Sequence, residues 1–159
     1  MRFIYTDEMG VTHFDAYFNY LSSVKDRFPR PLYEFAGDKT RYSLSDAKTM
    51  HDSWIEKLSV EEGVEKDGLN RRFVSIETRF LGPYHDRHFY FRYQQVVAYT
   101  FNHPEKFAAP PKCGHGDVLV QEFLITDRHD ISHEILFSSG SRLHIICREI
   151  DVMETLIER

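Results

Sequence analysis

Three His-Asp pairs punctuate the sequence, at His51-Asp52, His85-Asp86 and His129-Asp130, and a His-Glu pair follows at His133-Glu134. With His88 close behind Asp86, these are side chains that can hold a divalent transition metal. Such an ion needs three or four N, O or S ligands converging at about 2.0–2.2 Å. The candidate ligands are His51, Asp52, His85, Asp86, His88, His133 and Glu134, and their chemistry would be metal-assisted hydrolysis. On a strand, the three-residue spacing of His85 and His88 sends them to opposite faces. They meet only if the turn opened by Gly82-Pro83 runs on through Asp86. The competing reading places these groups at strand ends, solvated or bonded to turn backbone, a role that suits Asp86 just after Gly-Pro. An HD-type phosphohydrolase uses such pairs, but that fold is helical throughout, whereas the second half of this chain alternates like strands. His129 and His133 flank a hairpin loop, and Cys113-x-His115 is one isolated pair.

Nothing else in the chain forms a complete catalytic motif. There is no G-x-S-x-G elbow, no G-x-G-x-x-G loop and no phosphate-binding G-x-x-x-x-G-K-[ST]. Glu61-Glu62 lie in a charged stretch that reads as solvated. The net charge of −5 argues against a nucleic-acid binder, which needs a basic face. Only Arg71-Arg72 and the stretch from Arg27 to Arg30 offer short basic patches. No apolar run approaches the roughly 20 residues of a membrane span. The first ten residues are too short and acidic for a signal peptide. Cys113 and Cys147 read as reduced thiols, with Cys147 a small core residue in "LHIICREI". A cytoplasmic protein is expected, with no membrane or nucleic-acid partner and no cofactor beyond the alternative of one divalent metal.

The elements that must position these residues follow from periodicity. "MRFIYTD" reads as a brief strand. Thr12 is a credible N-cap for "HFDAYFNYLSSVKDRF", where Phe14, Tyr17, Phe18 and Leu21 make a helical stripe. Pro29 and Pro31 stop that helix, and "PLYEFAGD" supplies one more turn, ended by Gly37. The stretch from Lys39 to Thr49 is polar and carries no pattern. "MHDSWIEKLSVEEG" is open between helix and strand on period alone. "VEEGVEKDGLNR" and "NHPEKFAAPPKCGHG" read as loops. "FVSIETRFLG", "HFYFRYQQVVAYTF", "DVLVQEFLIT", "SHEILFSS" and "RLHIICREI" read as strands, with Gln95 breaking the second as a bulge or bend would. "DVMETLIER" reads as a closing helical turn. Short connections favour antiparallel neighbours. The expected fold is α+β: one domain over 1–159, with 1–49 mostly helical and packed on an antiparallel sheet of five or six strands across 50–150. Its aromatic rows serve either as core or as the lining of a ligand pocket.

"TMHDSWIEKLSV", the later "FRYQQVVAY" and the hairpin "HEILFSSGSRLHIIC" together resemble small bacterial β-rich proteins with an "HDSxI"-type strand, discussed as immunity-like partners in toxin systems. The resemblance covers roughly residues 50 to 150. It implies a β-rich fold, assigns residues 50 onward to a strand and carries over no catalytic residue. The function expected from it is non-enzymatic binding of a protein partner. The alternatives are the metal-dependent hydrolase and a small-molecule-binding domain with an aromatic-lined pocket.

Overall fold

The structure is a computed structural model that describes residues 1–64, 70–103 and 114–158. A short hairpin, β1 (Tyr5–Thr6) and β2 (Thr12–His13), precedes helices α1 (Asp15–Ser23) and α2 (Arg30–Gly37). Six strands follow: β3 (Trp54–Val64), β4 (Arg72–Leu81), β5 (Arg87–Asn102), β6 (Val118–Ile125), β7 (Ile131–Phe137) and β8 (Arg142–Leu156). They form one antiparallel sheet in the order β3-β4-β5-β8-β7-β6. The protein is therefore mostly β, and its first 49 residues add a strand pair as well as two short helices.

Local chemistry explains most boundaries. Pro31 sits at the start of α2 and Gly37 ends it, as the sequence predicts. Thr12 does not cap α1: it pairs with Thr6 in the hairpin, and α1 begins at Asp15 without a side-chain cap. Asp7 wins that competition, because its carboxylate accepts the N–H groups of Met9 and Val11 and closes the turn. β3 is a strand over its full length, and its ladder with β4 runs to Val64↔Arg72, so Glu61–Val64 are not loop. Of the rest of that predicted loop, Asn70 and Arg71 do lie between the strands, while 65–69, like the stretch 104–113 with Cys113, lie outside the described residues. The helical turn expected at the C-terminus is also overturned. Ile150 and Val152 pair with Tyr93 and Phe91, and the β5–β8 ladder reaches Leu156. A long partner strand overrides weak local helix preference.

The core lies between the helices and the inner face of the sheet. Phe80, Phe89, Phe91, Tyr93, Phe123 and Phe137 are fully buried, and Phe35 of α2 meets Phe91 edge-on at 5.5 Å. The aromatic rows are thus core. Their inward alternation on adjacent strands brings the rings to the separations at which edge-to-face pairs are favourable. Cys147 joins them, and burial pushes its thiol up to about 12.

Both sheet edges bear on the site. At one end the edges meet, where Asp52 N–H donates to Val118 O and Val118 N–H to Ser53 O, at 2.9 and 2.7 Å. Further along, α1 covers the β6 edge: Tyr17 Oη accepts the N–H of Phe123 and Tyr20 Oη that of Ile125, at 2.9 and 2.7 Å. Residues three apart on a helix here match N–H groups two apart on a strand edge. Glu122 turns the other way, fully buried, and accepts the N–H groups of Arg2, Phe3 and Ile4 at 2.7–2.9 Å. Among the described residues, no helix is long and apolar enough to cross a membrane.

Candidate functional site

Between the stitched end of the β6 edge and the part under α1 lies Leu119–Gln121, the floor of a cavity of about 570 Å³. Its walls are Thr6 and Gly10–Thr12 of the hairpin, Phe14, the segment Arg41–Tyr42 with Leu44, and Met50–His51. Apolar side chains dominate, with Val118, Val120 and Leu136 contributed by the sheet. Its size falls within the range typical of pockets for small organic ligands, roughly 300–1,000 Å³.

The polar atoms in this wall are poorly satisfied. Arg41 Nε and Nη1 and Gln121 Nε2 are buried without a hydrogen-bond partner among the described residues, whereas the Tyr42 hydroxyl lies against that of Tyr17. Burial holds the Tyr42 hydroxyl well above its ordinary pKa, so it stays protonated. Arg41 is held from behind: its Nη2 lies 2.8 Å from Glu154 and its guanidinium stacks 4.0 Å from the Phe35 ring centre. Gln121 accepts from His133 Nε2 at 3.0 Å, which leaves its Nε2 unused. Turning that amide over exchanges the roles and still strands one of its two atoms. A buried donor without an acceptor costs about 1–3 kcal/mol, so two such residues in one wall are an expensive arrangement for packing alone.

Of the residues nominated from sequence, His51 alone lines this cavity. Its Nδ1 lies 3.0 Å from exposed Asp52. The Gly82-Pro83 turn does run through Asp86, since β5 starts at Arg87, yet His85 and His88 do not share a site. His85 is exposed and packs edge-on to Trp54, whereas His88 Nε2 lies 3.1 Å from Glu56. Asp86 faces Arg87 with both carboxylate oxygens. Burial pushes the Glu134 carboxyl up, but its pairing with the Met1 amino group and with Arg142 outweighs this and holds it below its usual pKa. Among the described residues no three His, Cys, Asp or Glu side chains form a group that could hold a metal ion.

His133 is fully buried, stacked 3.8 Å from the Phe123 ring. Tyr93 Oη donates to its Nδ1 at 2.8 Å, and its Nε2 donates to Gln121. Both nitrogens are satisfied by the neutral ring, and burial drives its pKa well below the ordinary histidine value. A pH dependence follows. Above the unfolded-state pKa of about 6.5, His133 is neutral in both states and costs nothing; below it, only the unfolded chain takes up the proton. Stability is expected to fall as pH drops from 6.5 to 5, by up to about 1.4 kcal/mol per pH unit from this residue. His115, also lowered by burial, adds in the same direction. Urea midpoints across that range check this, and the slope is expected to flatten in His133→Phe.

Arg41 and Tyr42 were not legible because they sit in a stretch without period. Gln121 did carry a signal: with Glu122 it makes two consecutive polar residues inside an apolar strand. No family model matches this chain, and no curated protein matches it either.

Proposed function

We propose that this protein is a non-catalytic binding module whose ligand is a small, largely apolar organic molecule held in the cavity over Leu119–Gln121. The observation that carries the reading is the apolar cavity of about 570 Å³ over Leu119–Gln121, two of whose wall residues, Arg41 and Gln121, keep buried polar atoms without a partner among the described residues. A ligand with an apolar body would be enclosed by Met50, Val120 and Leu136, and a small shift of the wall that opens Arg41 or Gln121 to it would let one or two acceptor oxygens meet those donors. Arg41 is already balanced by Glu154 and Asp38, so a neutral carbonyl or hydroxyl compound suits the site at least as well as an acid. The cavity belongs to the hairpin and sheet edge, so it is lined by aliphatic side chains more than by aromatic rows.

Native mass spectrometry of gently purified protein tests this. A stoichiometric small-molecule adduct is expected, lost in Val120→Phe, whose larger side chain fills the floor. Bare wild-type protein whose Tm is unmoved by a panel of apolar carbonyl compounds would sink the reading.

The rim favours a second reading, in which a protein partner covers the mouth. Met9 and Leu44 are 88% and 72% exposed, with Tyr5, Val11 and Leu119 also exposed nearby, the kind of apolar patch that marks interaction sites. This agrees with the immunity-like resemblance. A protein captured by the wild type and lost in Met9→Glu/Leu44→Glu would support it. Capture that is indifferent to both charges would remove it.

A further inference from the structure

The edge of a sheet is a row of unpaired N–H and C=O groups unless something covers it. At the β6 edge the cover is in place. Its start is stitched to Asp52 and Ser53, and Tyr17 and Tyr20 of α1 take the N–H groups of Phe123 and Ile125. The β3 edge is bare beyond its first residue. Trp54 bridges Asp117, but from Ile55 to Val64 the strand pairs with β4 alone, and among the described residues no other backbone is bonded to it. At 11 residues β3 is about twice the usual strand length, a long edge to leave open.

Ile76 and Thr78 of β4 are turned into the core, so their cross-strand partners Val60 and Leu58 share the inner face, and Lys57, Ser59 and Glu61 lie on the outer one. Val60 is nonetheless exposed and Leu58 only half-buried, which leaves apolar surface at the edge. On the outer face Lys57 and Glu61 stand symmetrically about Ser59. The carboxylates of Glu56 and Glu62 are already taken by Arg79 and Arg72, at 3.0 and 3.3 Å, whereas Lys57 and Glu61 form no ion pair among the described residues. We infer that the β3 edge is a dimerisation surface, paired antiparallel with the same edge of a second copy about a two-fold axis at Ser59. In that register Lys57 faces the partner's Glu61, Glu61 faces the partner's Lys57, and Leu58 packs beside the partner's Val60 on the inner face. Moving the axis to Leu58 or Val60 sets Lys57 against the partner's Ser59 or Gly63 and loses both ion pairs. Edge charges commonly serve to repel a further strand; opposite signs placed symmetrically about one residue do the reverse. The bulge between Ile55 and Lys57 limits the ladder to Lys57–Glu61, so the dimer is weak and sensitive to salt. Both copies use the same edge, and the β6 edge is covered, so assembly closes at two.

Sedimentation equilibrium of the full chain at low ionic strength, over rising protein concentration, tests this. A reversible monomer–dimer equilibrium is expected. Lys57→Glu should weaken it about tenfold, and Glu61→Lys equally, because each change sets like charges opposite one another at both symmetry-related pairs. Lys57 and Glu61 are exposed, so both variants should keep the far-UV spectrum of the wild type. Mixing the two variants should restore dimers, now mixed, and the exchange Lys57→Glu/Glu61→Lys within one chain should restore them as well. Monomer alone up to about 1 mM, species larger than the dimer, or a dimer indifferent to either reversal would each overturn the assignment. So would single reversals that neither the mixture nor the exchange rescues.

Discussion

Glu122→Ala is expected to destabilise the fold by about 4 kcal/mol, comparable to breaking a buried ion pair. The carboxylate is fully buried and accepts three consecutive backbone N–H groups, from Arg2 to Ile4. Charge-assisted bonds of this kind are worth about 1.5–3 kcal/mol each, and removing the acceptor strands donors that have little access to water. Some of the loss is recovered if the terminal segment detaches and hydrates. That response is itself measurable: amide exchange at residues 2–4 should rise far more than exchange in α1. Glu122→Gln should cost about half as much, because one amide oxygen remains while the charge is lost. Urea unfolding with an unchanged m-value reads both. A loss below about 1 kcal/mol in Glu122→Ala would mean that the N-terminal segment does not depend on this anchor.

The second large effect is expected at Glu154, the carboxylate shared by two poorly exposed arginines. It pairs with Arg87 and lies 2.8 Å from Arg41 Nη2. Arg87 also holds Asp86 in a two-pronged contact, and these carboxylates keep its guanidinium firmly protonated. Glu154→Ala leaves Arg41 with Asp38 at 3.7 Å as its one carboxylate among the described residues, while two of its nitrogens already lack hydrogen bonds there. Removing one partner of a buried pair costs about 3–5 kcal/mol, and the partial exposure of Glu154 argues for the lower end, about 3 kcal/mol. Arg41→Met alone should cost less, because it removes the poorly satisfied charge together with its pair. The double variant should then be more stable than the sum of the two losses predicts. Strict additivity would show that Arg41 and Glu154 do not act as a pair. The same cycle bears on the cavity, because Glu154 is what holds Arg41 in its wall.

What the sequence determined by itself is local. Alternating apolar residues defined β4, β5 and β7, because a half-buried strand demands a period of two. Proline and glycine set the ends of α2, and the polar break at Gln95 marked the place where β5 bends. Tertiary structure decided which of these pieces meet. β8 adds to β5 out of sequence order, so the last residues extend as a strand although their own pattern reads as a helical turn. That same order places His133 on β7, two strands away from His85 and His88, and packs it into the core, where a neutral ring satisfies both neighbours. The cavity joins a patternless segment to one polar residue of an edge strand. Periodicity reports which face of an element is buried. It carries no record of which distant face lies opposite, because that is set by strand order and by the burial of the whole chain.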